Sequence, residues 1–254
     1  MIFRESNFEA ELEKNRDQPL TPDFLAEQIR LPKDQWDERF SKLIEQKIRE
    51  NQQVNIEEEE ESPETLLEKT YKRYLKSLGL DDEMLKDKKV IDLDTGSGEF
   101  VKYLIEKSIT KEAYGIDIQL DESLIEEKFK SHLLHGNFEK DLPIQNADYI
   151  ISLGAVSNAI WCGKETMNLR SIIEKALASL KEDGEIRIYP IQEAAKATPL
   201  EGLEASRKKW DELLKEISET LKLEYKIEPR NIKVSGKNND IILESVLIIK
   251  RKKN

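Results

Sequence analysis

The chain has 254 residues, enough for one α/β domain with a small extension and a sizeable core. Its formal net charge of -11 argues against a broad nucleic-acid surface, which needs a basic footprint, and 37% charged residues require many solvated helix faces. Cys162 is the one cysteine, so an intrachain disulfide framework and a multi-cysteine metal site are excluded.

Residues 1–61 read as a helical extension closed by an acidic linker. The start carries Glu5, Glu9 and Glu11 and no signal-peptide pattern, and no stretch reaches the length of a membrane span. The expectation is a cytoplasmic protein with no membrane partner. Thr21-Pro22-Asp23 is an N-cap, a proline at the first helical position and an acidic first turn. Phe24, Leu25 and Ile29 give that helix one apolar side. Pro32 interrupts, and a second helix is expected from about Lys33, with Trp36, Phe40, Leu43, Ile44 and Ile48 in one stripe. Such a pair is expected to cover the main domain or to pack between subunits of a homo-oligomer. A helix-turn-helix is the weaker reading, given the acidic balance. Glu57 to Glu61 is a self-repelling linker.

Residues 62–254 read as the main domain. Ser62-Pro63-Glu64-Thr65 opens a helix that carries Leu67, Tyr71, Tyr74 and Leu78 and stops at Gly79. Both tyrosines read first as core. Then Val90-Ile91-Asp92-Leu93 is an apolar strand, Asp94-Thr95-Gly96-Ser97-Gly98 a sharp turn, and Glu99 the start of a helix through Val101, Leu104 and Ile105. The free N–H groups of that helix point back into the turn and favour a polar or anionic group. A second strand, residues 113–118, reaches Asp117 about 20 residues beyond the turn, where a carboxylate can accept hydrogen bonds from ribose hydroxyls.

A helix is expected over 121–129 and a third strand over 131–136. His132 and His135 are three apart and face opposite sides of that strand, so they make a poor metal pair. The fourth strand, 147–154, contains Ser152 and leads into an exit loop with Asn158 and Trp161. An amphipathic helix over 168–180 is expected to end at Asp183-Gly184, with a fifth strand over 185–190 that includes Tyr189. Leu203, Trp210, Leu214, Ile217 and Leu221 mark a long helix. Two strands, 223–228 and 241–250, close the chain as an antiparallel hairpin. The expected fold is a doubly wound, mostly parallel seven-stranded sheet with a C-terminal antiparallel hairpin and a small helical N-terminal extension.

Val90 to Phe100 resembles motif I of the class I (Rossmann-like) S-adenosylmethionine-dependent methyltransferases, in which an acid precedes a G-x-G-x-G turn that holds the methionine half of the cofactor. Asp92 takes the acidic position, Gly96 and Gly98 the last two glycines, and Asp94 stands where the first glycine is usual. The resemblance covers residues 62–250. It implies that Asp117 binds the ribose, with Ile118 and Ser152 beside it. It also implies that Asn137 lies near the adenine where Asp is more usual, that Phe138 stacks on the base, and that Tyr71 or Tyr74 can touch ligand. Asn158, Trp161 and Tyr189 follow strand ends and are candidates for the acceptor pocket.

The implied activity is methyl transfer from S-adenosylmethionine by direct in-line attack. A small molecule ranks first as acceptor, a protein side chain second and nucleic acid third, since no N-P-P-Y or D-P-P-Y signature is present. No residue stands out as a general base. A nicotinamide dehydrogenase fits poorly, because Val101 stands where that fingerprint wants a small residue. The serious alternative is a degenerate methyltransferase fold that binds a ligand or partner without chemistry. Asp94 motivates it, placing a Cβ and a charge where the methionine half would pass.

Overall fold

The computed structural model describes residues 20–53, 63–157 and 168–252. Val90–Leu93 (β1), Ala113–Asp117 (β2), Leu133–His135 (β3), Ala147–Leu153 (β4) and Leu180–Ala194 (β5) form parallel neighbours. Leu223–Ser235 (β6) and Asp240–Arg251 (β7) form the closing hairpin. The seven strands lie in the order β3-β2-β1-β4-β5-β7-β6, and β7 alone runs against the rest. The expected doubly wound sheet with its C-terminal hairpin is therefore present.

The helices are Pro22–Ile29 (α1), Glu38–Gln53 (α2), Pro63–Leu78 (α3), Asp82–Leu85 (α4), Glu99–Glu106 (α5), Leu169–Ser179 (α6) and Glu201–Thr220 (α7). Side chains alternate across a strand, so β1 feeds two cores. Ile91 and Leu93 join Ile172 and Ile173 of α6 and Trp210 and Leu214 of α7. Val90 joins Tyr71 and Tyr74 of α3 and Phe100 and Leu104 of α5. Asp92 shares the face of Val90, and so lies under α3. Arg187 of β5 fixes the end of α3. Its buried guanidinium donates to the main-chain oxygens of Leu78 (2.7 Å) and Gly79 (2.6 Å) and pairs with Glu185.

The N-terminal helices build a third core. Ala26, Ile29, Phe40 and Ile44 pack on Ile232, Val234, Ile241 and Leu243 of the hairpin. The expected stripe thus covers the main sheet of the same chain, and Arg30 pairs with Glu193 of β5 at 2.8 Å. Thr21 caps α1 as read from the sequence, its Oγ1 accepting from Phe24 N–H at 3.2 Å. Among the described residues no helix is long and apolar enough to cross a membrane.

Four expected boundaries move. The second helix begins at Glu38, after a 3-10 turn at Lys33–Gln35, because Asp37 accepts from Arg39 N–H (2.8 Å) and so caps it there. No α-helix forms over 121–129, which holds only two 3-10 turns, Glu122–Leu124 and Glu127–Phe129. Asp121 accepts from Ser123 N–H (2.9 Å), a local bond that competes with a helix, and Leu124, 81% exposed, has nothing to pack on. Helix α6 stops at Ser179 and β5 begins at once. Leu180 pairs with Ala147, then residues 181–184 bulge out before Glu185 pairs with Tyr149. The hairpin strand β6 runs past Glu228 through Pro229, which sits at a register shift on the edge strand, where a sheet tolerates proline.

Candidate cofactor site at the carboxyl ends of the central strands

The turn after β1 follows an unusual backbone path. Asp94, Gly96 and Gly98 have φ of 63°, 60° and 82°. Left-handed backbone is steeply disfavoured for most residues, and Asp is one of the few with a side chain that tolerates it. Asp94 therefore takes the place of the motif's first glycine without altering the path. Gly98 is more demanding. It precedes α5, and a Cβ there would lie 2.5 Å from Leu133 Cδ2. At Gly96 the same test meets nothing within 4 Å, so the backbone faces open space.

Asp117 closes onto this turn. β1 and β2 pair with Leu93 opposite Ile116, which places Asp117 alongside it. Its Oδ2 accepts from Gly96 N–H at 2.8 Å and its Oδ1 from Gln119 N–H at 2.6 Å. It is 3% exposed. A carboxylate offers about four lone pairs, so these bonds, with Asp94 also close by, still leave it room for a hydroxyl donor.

Asp92 lies beneath and is 0% exposed. Thr95 Oγ1 donates to its Oδ2 at 2.9 Å, whereas its Oδ1 has no hydrogen-bond partner among the described residues. Burial pushes its carboxyl up to about 7, and the Asp94 and Asp117 charges push the same way. Thr95 and the Tyr74 hydroxyl oppose this shift, the latter without closing a bond to Oδ1. Partial burial also raises the exposed Asp94 carboxyl, as do the Asp117 charge and a hydrogen bond shared with Asp117. No lysine or arginine among the described residues pairs with these three acids. No three acidic, histidine or cysteine side chains among the described residues converge closely enough to hold a metal ion.

Around this centre the other sequence candidates divide. Ile118 leaves an apolar side chain 56% exposed beside Asp117. Asn137 accepts from Glu139 N–H through Oδ1 at 2.9 Å and holds the turn after β3. Phe138 is 6% exposed and packs with Leu93, Ile116 and Leu142 in the core, so its ring is not presented to the turn. Ser152 is buried one position beyond Ile151, the partner of Asp92, and its Oγ accepts from Val156 N–H at 3.2 Å. The Tyr189 hydroxyl donates to the buried Glu244 Oε2 at 2.6 Å, and burial with that bond raises the phenol well above its ordinary range. Asn158 and Trp161, with Cys162, lie outside the described residues.

Tyr71 and Tyr74 are buried, as the core reading had them. Tyr74 stacks on Phe100 at 4.3 Å, and Tyr71 stacks on Tyr103 at 4.1 Å and donates to Asp82 Oδ1 at 2.6 Å. His132 and His135 each bond a main-chain oxygen, of Ala113 (2.9 Å) and of Ile118 (3.0 Å). Sequence reasoning missed Thr95. Its signal was a hydroxyl three residues after Asp92, facing a strand glycine, Gly115, that leaves it room.

No family model matches the chain, and no curated protein matches it in sequence. Among solved structures it is similar to an S-adenosylmethionine-dependent methyltransferase from Clostridium acetobutylicum, at 14% identity over 85% of this chain and 98% of that one, TM-score 0.42. It is similar to the arsenic (III) S-adenosylmethionine methyltransferase of Chlamydomonas reinhardtii, at 12% identity over 67% of this chain and 65% of that one, TM-score 0.46. A TehB-like methyltransferase from Corynebacterium glutamicum is 18% identical over 74% of this chain and 99% of that one, TM-score 0.36. At these scores the likeness is one of outline and says nothing of what this chain binds. The strand order, with β7 alone reversed, is that of the class I methyltransferase fold.

Proposed function

We propose that this chain is an S-adenosylmethionine-dependent methyltransferase acting on a small-molecule acceptor. The reading is carried by the bond from Gly96 N–H to Asp117 Oδ2, which locks a ribose-type acid onto an open glycine turn. The residues present fit the cofactor. Asp117 has lone pairs left for ribose hydroxyls, Ile118 offers an uncovered apolar face for a base, and Asp92 holds an unpartnered buried oxygen suited to an ammonium. Asn137 and Ser152 frame the strand ends. The catalytic unit is residues 62–254, with residues 1–61 as its helical extension, and the chain works in the cytoplasm.

When bound, the cofactor supplies a methyl group on a positively charged sulfur, open to in-line attack. The work of the chain is to hold that group against an acceptor in a water-poor crevice. Asp117 and the turn fix the nucleoside, and α3 roofs Asp92 through Tyr74. Tyr189 acts as a wall of the acceptor pocket, since its hydroxyl is spent on Glu244. Asn158 and Trp161 would complete that pocket. No group here is assigned as general base.

Calorimetric titration of the pure protein with S-adenosylmethionine tests the reading, with micromolar binding expected. No detectable binding would favour the second reading, a degenerate fold that holds a partner; the exposed Asp94 carboxylate at a glycine position motivates it.

A further inference from the structure

We propose that Asp94 makes this turn selective for charge, favouring a nucleoside whose sulfur is cationic over the same nucleoside with a neutral thioether. The proposal rests on reading the turn as the S-adenosylmethionine site, and it concerns what Asp94 adds there. Asp94 keeps a left-handed backbone, so its side chain is the only change from a glycine. That side chain is exposed two positions before Gly96, where the backbone faces open space, and it lies close enough to Asp117 for the two like charges to oppose each other.

A second observation points to a cation independently. Asp92 is fully buried, one of its oxygens lacks a partner, and no lysine or arginine among the described residues neutralises it. A buried carboxylate in that state is costly: below about pH 7 a proton relieves it, and above that a bound cation would. No three acidic or histidine side chains among the described residues converge tightly enough for a metal. The complement that fits is an organic cation; the ammonium is common to both nucleosides, and only the sulfonium form adds a second positive charge for Asp94 to meet. Before transfer the sulfur is a sulfonium. When the acceptor's lone pair bonds the methyl carbon, the S–C bond breaks and its electron pair stays on sulfur, which becomes neutral. The turn thus grips the reactant and loosens on the product.

The test is calorimetric titration of the intact chain with S-adenosylmethionine and with S-adenosylhomocysteine, at about pH 8, above the value of about 7 to which burial pushes Asp92. Wild type, Asp94→Asn and Asp94→Gly are compared. Asn and Gly both tolerate the left-handed backbone, so both variants should fold, and thermal melting checks this. Wild type is expected to prefer the sulfonium. Both variants should lower the ratio of the two affinities by at least about fivefold, through loss of sulfonium binding, with thioether binding within about twofold of wild type. A ratio unchanged in both variants, with both nucleosides still binding, overturns the role of Asp94 alone. Binding of neither nucleoside by wild type overturns the cofactor reading along with it.

Discussion

Thr95 fills the space that Gly115 leaves. A Cβ on Gly115 would lie 2.6 Å from Thr95 Cγ2 and 2.7 Å from Oγ1, the atom that donates to Asp92. Gly115→Ala should therefore push Thr95 aside and free a second oxygen of a buried carboxylate. The expected loss is about 2–3 kcal/mol in urea unfolding, from overpacking and a broken buried bond. A change under about 0.5 kcal/mol would mean that Thr95 can move without cost.

Asp117→Ala should weaken S-adenosylmethionine binding by about 30-fold or more, because hydroxyl donors lose a charged acceptor and Gly96 N–H loses its partner. Far-UV circular dichroism should stay native. Affinity equal to wild type would remove Asp117 from the ribose.

The Asp92 carboxyl carries a pH signature. Its folded value, about 7, stands above the ordinary 3.8, so between those values the folded chain keeps a proton that the unfolded chain releases. Stability should then fall as pH rises through this window, by a few kcal/mol at most, on the order of 1.4 per unit. Asp94 shifts the same way. Melting at a series of pH values should show the decline in wild type and a flatter curve in Asp92→Asn. A wild-type curve that rises through the window would contradict the assignment.

Tyr189→Phe leaves Glu244, among the described residues, with side-chain donors from Gln192 (3.1 Å) and Asn231 (3.5 Å) alone. A cost of about 1–2 kcal/mol follows from depriving a buried carboxylate of its best donor. Cofactor affinity should not change. A clear fall in affinity without loss of stability would place the hydroxyl in the site after all.

Arg187→Met removes both donors from the end of α3 and strands Glu185, which keeps Lys250. Denaturation should show a loss of about 3 kcal/mol. Since α3 carries Tyr74 over Asp92, cofactor binding should weaken in step. Binding that survives a destabilisation of that size would show that α3 does not hold the site.

The parts of this molecule fixed by short-range chemistry were legible. Thr21 announced a cap, Gly96 and Gly98 a turn, and Asp117 sat at the spacing that brings an acid back to it. The parts fixed by distant partners were not. Residues 121–129 read as a helix, but nothing in the sequence says that no surface waits for Leu124. Pro229 reads as a strand end, and only its place on an edge strand lets β6 continue. Asp94 reads as a broken motif until its φ shows that the backbone survives. Phe138 reads as a free ring until the core claims it.

The third core joins residues far apart in the chain. Ile29 and Phe40 rest on Ile232, Val234 and Leu243, about two hundred positions downstream. During synthesis the first helices leave the ribosome long before their seat exists. They must wait, apolar sides uncovered, until the last two strands emerge. Residues 22–53 are thus made long before the strands that seat them, and loss of residues 240–251 would be felt at these helices.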